Sequence, residues 1–164
     1  MNRTYVKDLK AQRRDIDSRI AIAGHPIHAM LVAFPISGTV GTAFCDAAFW
    51  YTADVFWARV ALWAVGAAFA MGVLAAIAGL AETLLVPGVR RRAAAWSHAT
   101  VAMVLLSVLG ASLALRLEDP AGAVLPWGAF LSGLAFVLVA LAGWHGGKLV
   151  FEHQVGVKVA DEPL

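Results

Sequence analysis

Residues 60–86, VALWAVGAAFAMGVLAAIAGLAETLLV, hold one charged side chain, Glu82, in 27 positions. A helix rises about 1.5 Å per residue, so about 20 apolar residues cross the roughly 30 Å hydrocarbon core of a bilayer. This stretch is long enough to span and too apolar for a soluble surface. Outward from it the pattern recurs, with apolar segments at about 28–50, 97–115 and 127–147. Turn signals separate them: Tyr51 to Asp54, Pro87-Gly88, and Glu118-Asp119-Pro120-Ala121-Gly122. Connections this short make neighbouring helices antiparallel. The expected fold is all-α, an integral membrane up-down four-helix bundle with an N-terminal surface segment.

Composition supports the same class. The 164-residue chain is 60% hydrophobic and 15% charged, with a mean hydropathy of +0.74, outside the range of soluble domains. Six of its thirteen Lys and Arg residues fall in the first nineteen positions, and Arg90, Arg91 and Arg92 add three more. The basic balance thus belongs to tails and one loop, and no nucleic-acid partner is expected. Eleven basic residues lie on the side of the termini and the second loop, against Arg59 and Arg116 on the other. This bias predicts cytoplasmic termini in a bacterial inner membrane.

The chain divides into a polar, basic segment 1–24, a transmembrane domain 25–154 and a tail 155–164. The first segment is read as partly helical and lying on anionic lipid, and the tail as frayed. Its length before the first apolar run argues for a permanent span rather than a cleaved signal. No internal repeat is visible. Cys45 is the only cysteine, which excludes an intrachain disulfide, a thiolate zinc cage and covalent c-type haem. No Walker, Ser-His-Asp or metalloprotease motif is present, so neither an ATPase nor a hydrolase is expected.

Helical spacing places His28, Val32, Pro35, Thr39, Thr42 and Asp46 on one face of the first span. Pro35 leaves the Leu31 carbonyl without its helical donor, which predicts a kink. Asp46 and Arg116 lie at similar depth and either pair or snorkel separately to the interface. Glycines at 38, 41, 66, 79, 110 and 128 permit close helix contacts, and a homo-oligomer is compatible with them.

The five histidines share a side. In an up-down bundle, the starts of spans one and three meet the ends of spans two and four. His25 and His28 open span one, His98 opens span three, and His145 and His153 close span four, with Glu82 at the end of span two. Pro26 suits a first helical position with His25 as its cap, and Ser97 is expected to cap the helix at His98.

Three chemistries use such a rim. The first is b-type haem with His28 and His98 as axial ligands, His25, His145 and His153 as further candidates, and Arg90, Arg91, Arg92 or Lys148 near the propionates. Phe34, Trp96 and Trp144 would supply apolar walls. The second is an iron, zinc or copper ion held by His25, His28, His98, Glu82 and His153. The third is a cofactor-free structural or proton-linked protein. The first reading makes the chain an electron-transfer component serving a separate redox protein or a quinone.

Segments 24–36, GHPIHAMLVAFPI, and 143–157, GWHGGKLVFEHQVGV, together with Gly72 to Glu82 and the helix opening at His98, resemble the predicted membrane proteins of domain of unknown function 2231. The resemblance covers residues 22 to 158. It implies a bacterial four-helix membrane protein whose domain occurs joined to Rieske-type or cytochrome c modules, which favours electron transfer. Its pattern positions here are His25, His28, His98 and His153, with an acidic residue at Glu82 where aspartate is more usual. His145 is an addition to that pattern.

Overall fold

The computed structural model describes residues 17–157. Most of the basic segment read as partly helical, and the tail from Lys158, lie outside the described residues. From Asp17 to Pro26 the chain forms bends and a short hairpin, with no helix. Strand β1 (Ala21–Ile22) pairs with β2 (His25–Pro26) through Ala23 and Gly24, both at positive φ (48° and 81°). Two consecutive positive φ values are what a two-residue type I′ hairpin demands.

Four apolar spans follow, and 79% of the described residues are helical. Span one is a short α1 (Ile27–Leu31) and a longer α2 (Ala33–Thr52), joined through Val32, which keeps helical dihedrals (φ −63°, ψ −21°). Pro35 lacks the N–H that would serve the Leu31 carbonyl, so one helical bond is missing there, while the Val32 N–H still donates to the His28 carbonyl at 3.1 Å. Ala53, at φ 57°, ends α2, and the Asp54 side chain caps α3 by accepting from the Phe56 N–H at 2.9 Å. Span two is α3 (Val55–Leu85), followed by a single turn, α4 (Pro87–Arg90). Span three is α5 (Ala93–Arg116), and span four is an irregular turn, Val124–Gly128, leading into α6 (Ala129–Phe151).

Two local expectations change. Pro26, not His25, flanks the first helix, because His25 is committed to the hairpin. Ser97 lies inside α5, its hydroxyl donating to the Ala93 carbonyl, since Ala93, Ala94 and Ala95 extend the helix by a turn.

Span one packs on spans two and four, and so does span three, which leaves one and three facing across a diagonal. Val65, Ala68, Leu105, Leu109, Ala135 and Val139 form the central core. Outside it, large apolar side chains such as Trp63, Ile77 and Phe130 are exposed. A surface so continuously apolar belongs against lipid, where backbone groups must be satisfied within the helices. The protein is a multi-pass membrane protein.

The buried faces contain a repeat that the sequence hides. Residue n of span one corresponds to n + 70 in span three: Pro35 and Leu105, Thr39 and Leu109, Thr42 and Ser112, Asp46 and Arg116 are all buried. Residue n of span two corresponds to n + 67 in span four: Ala61 and Gly128, Val65 and Ser132, Ala68 and Ala135, Ala75 and Ala142. The bundle is thus two helical hairpins in parallel, related by a pseudo-two-fold axis along the membrane normal.

Candidate functional site

The axis passes between two pairs of side chains, one at each end. At the end that carries the described termini, the rings of His28 and His98 stand 6.0 Å apart between centroids and 85° between planes. Each reaches this place from the first turns of its span. His28 Nδ1 lies 2.8 Å from the Ala75 carbonyl on span two, and His98 Nδ1 lies 3.0 Å from the Ala142 carbonyl on span four. A carbonyl oxygen only accepts, so Nδ1 donates in both rings. In the neutral imidazole this fixes the tautomer and leaves the Nε2 lone pair available.

Each ring also packs on a glycine, His28 more tightly than His98. A Cβ at Gly79 would lie 2.7 Å from His28 Nδ1, and one at Gly146 would lie 3.2 Å from His98 Cε1. Both glycines sit four residues after the carbonyl that orients the same ring. The recurrent Ala-x-x-x-Gly at 75–79 and 142–146 is the signal by which these supports can be found in the sequence. Helical propensity alone does not reveal it.

The other candidates have different surroundings. Glu82 accepts hydrogen bonds from the Arg19 and Ile20 N–H groups at 3.0 and 2.9 Å, which ties the N-terminal hairpin to span two. His25 is exposed on β2. His153 follows α6, its N–H donating to the Lys148 carbonyl, while His145 precedes Gly146 within electrostatic range of His98. Lys148 Nζ sits 5.9 Å from the Trp144 ring centre. Arg90 and Arg91 are exposed, and the Arg90 carbonyl accepts from Trp96 Nε1. Phe34, Trp96 and Trp144 are 58%, 44% and 67% exposed, so they face lipid rather than wall a site. Among the described residues, no three His, Cys, Asp or Glu side chains gather closely enough to hold a metal ion by themselves.

At the opposite end Arg116 and Asp46 form a bidentate pair at 2.8 and 2.6 Å, with both side chains buried. Arg116 Nε also donates to Ser112 Oγ at 3.3 Å. Full pairing answers the cost of placing either charge at this depth, so the two do not snorkel apart.

These features define a polytopic helical membrane protein with a paired imidazole site at one end of its internal axis and a buried ion pair at the other. The chain belongs to the family described as predicted membrane protein, DUF2231, whose model matches residues 24–159. No curated protein and no solved structure matches the chain.

Proposed function

We propose that His28 and His98 ligate one metal centre through their Nε2 atoms, that this centre is b-type haem iron, and that the protein serves electron transfer. The observation that carries the reading is the matched Nδ1 bonding: both rings present the same free nitrogen. Metal-binding histidines are commonly oriented in this way. The rings are also neighbours, 6.0 Å apart between centroids, close enough that one metal centre would reach a nitrogen of each.

The donor set fits a centre that takes two protein ligands, as haem iron does. Bound haem would exchange single electrons, with a separate redox protein or a quinone as partner. The residues' own part is to hold two neutral imidazoles in fixed tautomers near the membrane surface. The charge bias of the loops favours a cytoplasmic histidine end in a bacterial inner membrane.

Absorbance of the purified protein, oxidised and then reduced, tests the reading together with metal analysis. One haem per chain is expected, with a Soret band lost in both His28→Ala and His98→Ala. Stoichiometric iron, zinc or copper without that band selects a bare ion on the same rim. Protein carrying neither leaves the cofactor-free, proton-linked account.

A further inference from the structure

We propose that Glu82 is a positioning residue for the histidine pair: by latching the N-terminal hairpin to span two, its carboxylate holds the His28 ring on the Ala75 carbonyl, so that the pair opens at His28 and not at His98. On the ligand reading, on which this consequence rests, His28 is then the side by which a metal centre enters. The latch itself is a matter of the chain's own contacts.

Those contacts close on one helix. Ala75, Gly79 and Glu82 recur at spacings of four and three, so they share a face of α3. The Ala75 carbonyl accepts from the His28 ring, and Gly79 lies against it. Further along the same face, the two Glu82 oxygens take the N–H groups of Arg19 and Ile20, one each. The Ile20 carbonyl in turn accepts from the Ile27 N–H at 2.9 Å, which satisfies one of the donors that a helix start leaves orphaned. Ile27 opens α1, and His28 follows it. The ring and the backbone just before it are thus both held by α3, at points about 10 Å apart along its axis. On the hairpin's other strand, the chain after α6 lies against Pro26: a Cβ at Gly156, whose φ is 72°, would stand 3.2 Å from Pro26 Cγ.

The other half holds His98 by different means. Under the n + 67 relation Ala75 and Gly79 answer Ala142 and Gly146, but Glu82 answers Leu149. Leu149 packs on Val86, Val89 and Ala95, which are buried in the turn before His98 and the start of α5. That turn is also bonded covalently to span two on one side and span three on the other. The approach to His98 is therefore closed by apolar packing, and the approach to His28 by two hydrogen bonds to one carboxylate. Removing that carboxylate loosens one ring of the pair.

The test uses the full chain in lipid nanodiscs, free of metal and haem, with 15N-labelled histidine. In the wild type both rings should show a protonated Nδ1, whereas an imidazole released to water prefers its proton on Nε2. Glu82→Leu, which copies the counterpart, should move His28 to the Nε2–H form and leave His98 unchanged. Hydrogen exchange at the Arg19, Ile20 and Ile27 amides should rise about tenfold, the scale of losing a hydrogen bond to a charged group, while Val89 and Ala95 keep their wild-type rates. Glu82→Gln keeps one acceptor oxygen and should fall between the two, and it decides by the same readouts if Glu82→Leu does not fold. Unchanged exchange in the hairpin overturns the latch, and faster exchange with an unchanged His28 ring overturns the positioning role. Loss of both ring signatures together also overturns the proposal, since Glu82 would then serve the whole bundle. A native protein that carries neither haem nor metal would sink the ligand reading and leave each of these outcomes as decisive as before.

Discussion

A methyl group at residue 79 would sit 2.7 Å from His28 Nδ1, while one at residue 146 would approach His98 no closer than 3.2 Å. Alanine is the better helix former by about 1 kcal/mol, so an unconstrained glycine-to-alanine change should stabilise. At position 79 the sign reverses, because the imidazole must leave the Ala75 carbonyl or the helices must part, at an overpacking cost of about 1–3 kcal/mol. Thermal unfolding in detergent should therefore show Gly79→Ala less stable than wild type and Gly146→Ala near it. Ligand affinity at the pair should fall more in the first than in the second. The meeting of His28 and His98 was legible from parity, since odd helices begin where even helices end. What parity cannot supply is the use each side chain makes of its neighbours. Glu82 shares the rim, yet its carboxylate binds the backbone of Arg19 and Ile20, a contact across more than sixty residues that no local pattern announces.

Span one shows how an element carries the site. His28 lies on α1, one turn and more before the bond that Pro35 leaves unmade, while Thr39, Thr42 and Asp46 lie on α2. Restoring a donor with Pro35→Ala should tighten this stretch of the span, because the Leu31 carbonyl regains its partner. Tightening there should shift the first turn, draw His28 from the Ala75 carbonyl and change the 6.0 Å ring spacing. The expected result is a protein that still folds, with a melting point within a few degrees of wild type and at least tenfold weaker binding at the histidine pair. Unchanged binding would show that the bond missing at Pro35 does not position His28. At this scale the sequence was most informative, since hydropathy length identified every span. It misplaced the start of span three because three alanines carry no boundary signal, so Ser97 looked like a cap while standing inside the helix.

Across the whole molecule, the repeat explains why functional candidates occur in facing pairs. Residue type alone does not reveal it, because many matched positions share burial rather than identity: Pro35 answers Leu105, and Asp46 answers a residue of opposite charge. That last substitution lets the two halves pair across the axis, where two copies of either residue would repel. Asp46→Arg or Arg116→Asp alone should therefore cost about 3–5 kcal/mol, the scale for leaving a buried charge uncompensated. The double exchange should recover most of the loss, since the axis interchanges the two positions and Thr42 stands where Ser112 does, with an oxygen able to accept from the relocated guanidinium. Recovery should stop short of complete for a specific reason. Arg116 packs against Gly128, where a Cβ would lie 2.8 Å from its Nη2, whereas the counterpart of Gly128 is Ala61, already carrying that carbon. Adding Ala61→Gly to the exchanged pair should raise stability further, although the same change in the wild-type background should lower it by about 1 kcal/mol. Denaturation of the five variants in detergent measures this. If Ala61→Gly fails to help the exchanged pair, positions 61 and 128 are not equivalent and the axis does not relate the two ends of the ion pair.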